Sequence, residues 1–219
     1  MLLIEGRCDS RILRFPCNYD VLLPNAALTG ARCPSALWLH DLGEDRHALF
    51  HEAAPGRLVD ELSLALILPE GRRSCFLNMA HGPRWHDFLA LELIPLIGET
   101  LTVDGGKTGV IGKRAGALGA LALAKRGLPC ALIRPETYDV DGWDCRRWPI
   151  EGEWKGVFEG QADQWRSGQW QGAKGLLLDG DAAEERFGLS HWQRSAAAVD
   201  PAEALREAMR FIAASLSNQ

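Results

Sequence analysis

His47 and His51 stand four residues apart, a spacing that would place both imidazoles on one face of a helix and let them share a divalent metal. Two ligands alone are a weak metal signal. His81 and His86, in the segment His81-Gly82-Pro83-Arg84-Trp85-His86-Asp87, are five apart, which is no metal pattern, and exposure to solvent is expected for both. The six cysteines, Cys8, Cys17, Cys33, Cys75, Cys130 and Cys145, include no CxxC and no Cys/His pair at zinc spacing. No structural metal and no cofactor are predicted, and without a secretory signal reduced thiols are expected. Cys75 follows Ser74 in a loop after an apolar run and could serve as a thiol nucleophile. No base stands visibly close to it, and a buried, inert thiol is the expected alternative.

The elements that must position these groups are legible as short apolar runs alternating with longer amphipathic ones. Val21–Pro24, Ala36–His40, Leu64–Pro69, Thr108–Gly112, Cys130–Arg134 and Gly175–Asp179 read as strands. Most are continuous rather than alternating, as for central strands buried on both faces of a parallel sheet. Helical patterns cover Asp87–Thr100, Ala115–Arg126 (stopped by Gly127 and Pro129) and Pro201–Leu216, the last opened by Asp200 as N-cap and Pro201 at the first helical position. Strands alternating with helices predict a doubly wound α/β domain, one domain over residues 1–219. Residues 141–172 break the rhythm. They hold five of the eight tryptophans (Trp143, Trp148, Trp154, Trp165 and Trp170), and read either as a packed surface excursion or as a small cap over a pocket mouth.

Three stretches carry a family likeness. One is Ala36–Gly43 (ALWLHDLG). The second and most specific begins at Leu66–Phe76 (LILPEGRRSCF) and continues through Asn78, Met79, Gly82 and Phe88 to Glu92–Ile97 (ELIPLI). The third is Lys107–Gly119 (KTGVIGKRAGALG), and Trp154–Glu159 adds a shorter piece. Together they resemble the tributyrin-esterase and S-formylglutathione-hydrolase branch of the α/β-hydrolase superfamily, over roughly residues 18 to 216 of the chain. The first stretch is similar to that family's strand and oxyanion loop, the third to its nucleophile elbow, and the fourth to part of its cap. The resemblance implies an α/β-hydrolase fold, a mostly parallel sheet flanked by helices, and descent from a carboxylesterase.

An esterase of this type needs a serine on a strained strand-to-helix turn, a histidine base, an aspartate to orient it, and backbone N–H donors for the oxyanion. Gly112 and Gly116 keep the glycine frame of the elbow, but the residue midway between them is Arg114, and no serine lies within five residues on either side. A guanidinium stays protonated at any reachable pH and has no lone pair with which to attack. The family's histidine falls on His191 by one alignment and on Val199-Asp200 by another, which removes the base. The acid could be Asp181 or Asp179, just after the run Gly175–Leu178, and for either the alternative reading is a surface turn after a strand. Asp41 replaces the glycine of the oxyanion loop, and a carboxylate there disfavours an oxyanion. The implied pocket is lined by His40, Asp41, Leu42, Ala115 and Gly116.

Arg114 at a helix N-terminus opposes the helix dipole at a cost of about 0.3–1 kcal/mol, so something should offset it. One arrangement is internal, a pair with Asp41, Asp181 or Asp200. The other is external, a small carboxylate or phosphate held by Arg114 with the N–H groups of Ala115 and Gly116. The expected function is that of an esterase-like pseudoenzyme acting as a binding or partner protein, assembled with itself or with an active homologue. Two alternatives stand beside it: a hydrolase with an unconventional nucleophile, and a sensor of small anions.

Composition bounds these readings. The chain has 219 residues, 47% apolar and 24% charged, with a formal net charge of -5, an ordinary globular balance. No Lys/Arg-rich run points to nucleic acid, and no apolar run approaches the roughly 20 residues a membrane helix needs. The opening Met1–Ile4 is too short and lacks the basic flank of a signal peptide, so a soluble cytoplasmic protein is expected.

Overall fold

The computed structural model describes residues 1–79, 81–135, 175–178, 189, 192–195 and 200–217. The apolar runs form β1 (Leu2–Asp9), β2 (Pro16–Leu23), β3 (Cys33–Leu39), β4 (Ala65–Pro69), β5 (Val103–Lys113), β6 (Cys130–Ile133), β7 (Gly175–Leu178) and β8 (Gln193–Ser195). Around them lie α1 (Asn25–Leu28), α2 (Ala48–Glu52), α3 (Pro55–Leu62), α4 (Trp85–Phe88), α5 (Ile94–Thr100), α6 (Gly116–Ala124) and α7 (Pro201–Ser217). One sheet carries the strands in the order β1-β2-β4-β3-β5-β6-β7-β8. The β1–β2 and β2–β4 pairs are antiparallel, and every later pair is parallel.

The central strands divide their side chains between two layers even though their sequences do not alternate. Along β3, Leu37 and Leu39 enter one core while Ala36 and Trp38 enter the other; along β6, Cys130 and Leu132 part from Ala131 and Ile133 in the same way. The period of two is therefore present in direction and hidden in composition, because both faces are dry. The first layer is closed by α6, whose residues from Gly116 to Ala124 are nearly all buried. A helix apolar all round belongs inside a fold. The second layer is closed by α3 and α7, through Leu58, Val59, Leu205, Met209 and Ile212.

Three elements depart from the sequence reading. β1 is an edge strand with alternating partial exposure, so its apolar signal is diluted by Glu5, Arg7 and Asp9. The helix expected over Asp87–Thr100 runs from Trp85 to Thr100, but is widened at Leu89–Leu93 into a π-helical turn between α4 and α5. Pro95 supplies the cause: it has no N–H to give the carbonyl four residues back, and its ring would strike that carbonyl in a tight α turn. The short helix α3 occupies a stretch for which no element is read from the sequence, whereas α2 begins where a helix is expected around His47 and His51.

Glu92 on the π turn ties the sheet edge to the body. Its carboxylate accepts hydrogen bonds from Ser10 Oγ (2.5 Å), Arg11 N (2.9 Å) and Ile12 N (3.3 Å), in the turn that joins β1 to β2.

Candidate functional site

β5 ends at Lys113, and the chain turns sharply through Arg114 and Ala115 into α6. Arg114 has φ 48°, the left-handed region that costs a residue with a Cβ roughly 1–2 kcal/mol. A strained residue at the apex of a strand–turn–helix is the geometry of a nucleophile elbow. Two glycines allow it. A Cβ on Gly116 would lie 2.2 Å from Leu39 O and 2.6 Å from His40 O, and one on Gly112 would lie 2.6 Å from Ala117 Cα. The elbow is thus pressed against the loop that follows β3, and only glycine permits that approach. Arg114 N donates to Ile133 O at 2.9 Å, which fixes the turn against the end of β6.

On the other side of this contact stands Asp41. Its Oδ1 accepts the N–H of Leu42 at 2.7 Å and the N–H of Ala115 at 3.1 Å. Its Oδ2 lies 2.7 Å from Arg114 Nε. The two backbone donors come from the residue after the elbow apex and from the loop after β3. In an α/β-hydrolase these are the places that supply the oxyanion hole. The carboxylate thus spends one oxygen on two backbone N–H groups, with a guanidinium closing its second oxygen. Of the partners expected for Arg114, the structure brings up Asp41. Asp200 is engaged as the cap of α7, its Oδ1 accepting Ala202 N–H at 3.3 Å. Asp179, Asp181, His191 and Val199, together with the Trp-rich segment 141–172, lie outside the described residues.

His40 is buried and holds the loop rather than facing a ligand. Its Nε2 accepts the N–H of Gly71 at 3.0 Å, so the ring proton is on Nδ1, which donates to Asp41 O at 2.7 Å. Both nitrogens are spent on backbone, and the ring packs edge-on to Phe76 with centroids 5.0 Å apart. This is a positioning role that the sequence expectation of a pocket-lining histidine did not contain.

The site has a second layer that the sequence does not announce. Lys113 Nζ is bonded to Glu44 at 2.7 Å and also to Glu52. Burial alone would pull the Lys113 ammonium down, but the hydrogen bonds it donates to the two carboxylates outweigh it and hold its pKa above the ordinary value. Next to this network a cavity of about 280 Å³ is lined by Trp38, Asp41, Lys113, Arg114, Arg134 and others. The adjacency of Lys113 to Arg114 is the only sequence signal for a charged shell here. Its acidic partners lie some sixty residues away in the chain and cannot be inferred from spacing.

The remaining sequence candidates are separated. Cys75 is buried, and burial, then the nearby Asp41 charge, push its thiol up to about 12. A thiol held protonated in this way is no nucleophile at neutral pH. His47 and His51 do not share a helix face: α2 is only five residues long, His47 is its N-cap residue turned toward Asp20, and His51 is exposed. His81 is exposed as expected, whereas His86 is not. Its Nδ1 is enclosed without a hydrogen-bond partner, and burial, followed by the Arg126 charge, lowers its pKa. The turn of α4 carries the ring inward next to buried Trp85.

No protein-family model and no curated protein matches the chain. Its structure is similar to those of esterase-like serine hydrolases. The fluorophosphonate-binding serine hydrolase FphF of Staphylococcus aureus superposes with a TM-score of 0.77 at 16% identity, over 97% of this chain and 98% of that one. The S-formylglutathione hydrolase of the same organism gives 0.73 at 16% identity over 97% and 98%. That of Agrobacterium tumefaciens gives 0.72 at 17% identity over 98% and 93%. With the strand order above, this establishes the α/β-hydrolase fold. Among the described residues no helix is long and apolar enough to cross a membrane.

Proposed function

We propose that the chain is an esterase-like α/β-hydrolase homologue that has lost serine-esterase chemistry and acts as a binding or partner protein. One observation carries this reading. The Asp41 carboxylate accepts both N–H groups that would stabilise an oxyanion, and Arg114, which stands where the serine is needed, closes over it. A substrate carbonyl would have to displace a fixed anion from its own binding place, and no hydroxyl would meet it there. Acyl transfer commonly draws more of its rate enhancement from electrostatic stabilisation of the oxyanion than from any other single effect. A resident carboxylate therefore removes a second contribution beside that of the absent serine. The glycine frame supports the same reading, because the elbow keeps its geometry while its chemistry is exchanged.

The anion-sensor alternative draws less support from the cavity. Among the described residues its charged lining is Lys113, Arg114 and Arg134 against Asp41, Glu44 and Glu52, three of each sign, which gives a free anion no net attraction from these groups. Hydrolysis of a short-chain p-nitrophenyl ester by the wild type and by Arg114→Ala tests the proposal. No turnover above buffer is expected from either. Robust turnover by the wild type that survives Arg114→Ala would place a nucleophile elsewhere and end the pseudoenzyme reading.

A further inference from the structure

We propose that Glu5, Asp20 and His47 form a binding site for one divalent cation of the zinc class, on the face where the β1–β2 hairpin meets the loop between β3 and α2. At its centre is Asp20. Its side chain is 1% exposed, and its Oδ1 accepts Arg46 Nε at 2.9 Å. Its Oδ2 is enclosed and accepts no hydrogen bond. A buried carboxylate oxygen left unsatisfied costs about 1–3 kcal/mol, more for a charged group, unless something else meets it.

What Oδ2 faces is a set of ligand atoms. His47 Nε2 lies 3.2 Å away without the alignment of a hydrogen bond, and 3.8 Å from Glu5 Oε1. Glu5 and Asp20 are direct cross-strand partners in the β1–β2 register, so the hairpin itself sets their spacing. All three donor atoms fall within 4.8 Å of one another. Zinc bonds of about 2.0–2.2 Å put the donor atoms of a tetrahedral site roughly 3.3–3.6 Å apart. The observed separations bracket that edge length. An imidazole nitrogen with two carboxylate oxygens is a donor set for zinc, cobalt or nickel rather than for calcium or magnesium.

Charge points the same way. One guanidinium, Arg46, pairs with Asp20 and lies with its Nη1 3.5 Å from Glu70 Oε2, and the charge of Glu5 acts on it as well. Three carboxylates against one cation leave a formal charge of −2 when His47 is neutral, and a divalent cation balances it. Glu5 is 67% exposed, so the fourth position opens to water. A bound ion would staple the sheet edge to the loop whose other end carries Asp41. It does so independently of whether the elbow is catalytic.

Chelator-treated protein titrated with Co²⁺, then competed with Zn²⁺, tests the site. The expected results are one equivalent bound, a d–d absorption without a thiolate charge-transfer band, and a Tm that rises with metal concentration. Glu5→Gln and His47→Gln should each weaken binding at least about tenfold, the smallest loss that even an outer-shell change produces. His51→Gln should leave binding unchanged. The Glu5 side chain is exposed and that of His47 partly so, and the metal-free Tm of each variant verifies folding. Absence of stoichiometric binding would overturn the proposal and leave His47 as an ion-pair partner of Asp20 only. So would binding that survives both substitutions, or a thiolate band.

Discussion

Asp41 and Asp20 each face one arginine, and they are completed in opposite ways. Asp41 has every acceptor used: two backbone N–H groups on Oδ1 and Arg114 on Oδ2. Asp20 has one oxygen paired with Arg46 and the other enclosed among side chains that could ligate. The first carboxylate is the end of a network, and the second is the beginning of one. The difference separates a site that has been filled from within from a site that is still open to a ligand. It arises from position. Asp41 lies against a helix start that offers spare N–H groups, whereas Asp20 lies mid-strand, where the backbone donors are already in the ladder.

The comparison can be broken by removing partners. The largest effect is expected from Arg46→Ala in metal-free protein, which strands the 1% exposed Asp20 charge. The loss should be about 3–5 kcal/mol of unfolding free energy by urea denaturation. Asp41→Ala comes next. It unpairs the N–H groups of Leu42 and Ala115 and should cost about 1–3 kcal/mol in the same measurement.

Glu92 offers a third, saturated carboxylate that sharpens the contrast through pH. Burial raises its pKa, but the hydrogen bonds from Ser10, Arg11 and Ile12 outweigh it and hold it below the ordinary glutamate value. A depressed folded pKa adds stability that is fully present above the unfolded value of about 4.3 and is lost as pH falls through the folded value. The stability gap between wild type and Glu92→Gln should therefore be constant near neutrality and shrink in acid, as thermal melts at stepped pH would read. The smallest effect is expected from Arg114→Ala. That side chain is 44% exposed, and Asp41 would keep both backbone donors, so less than about 1 kcal/mol should be lost. A loss equal to that of Arg46→Ala would mean that the two arginines play the same structural part and that the contrast is wrong.

The fold was legible where burial was complete. Continuous apolar runs marked β3, β4, β6 and β7, and the helices after the elbow and at the carboxyl end followed from their caps and breakers. β1 and β8 were not legible, because edge strands are half exposed and carry the charges of their surface. The π turn was not legible either, although Pro95 marks its cause. At the site, the identity of Arg114 and the anomaly of Asp41 could be read from the chain, since both break a pattern. The carboxylate's capture of two N–H groups could not. It depends on the few ångströms separating two loops some seventy residues apart, which Gly116 permits by letting the elbow touch Leu39 O and His40 O.

If the elbow carries no nucleophile and Asp41 occupies the oxyanion place, an activated fluorophosphonate should find nothing to modify. Intact-mass analysis after exposure to that reagent tests this most directly, on the wild type and on Arg114→Ala. An unmodified mass is expected for both proteins. A stoichiometric adduct on the wild type that persists in Arg114→Ala would reveal an activated nucleophile elsewhere in the chain, and would contradict the pseudoenzyme reading.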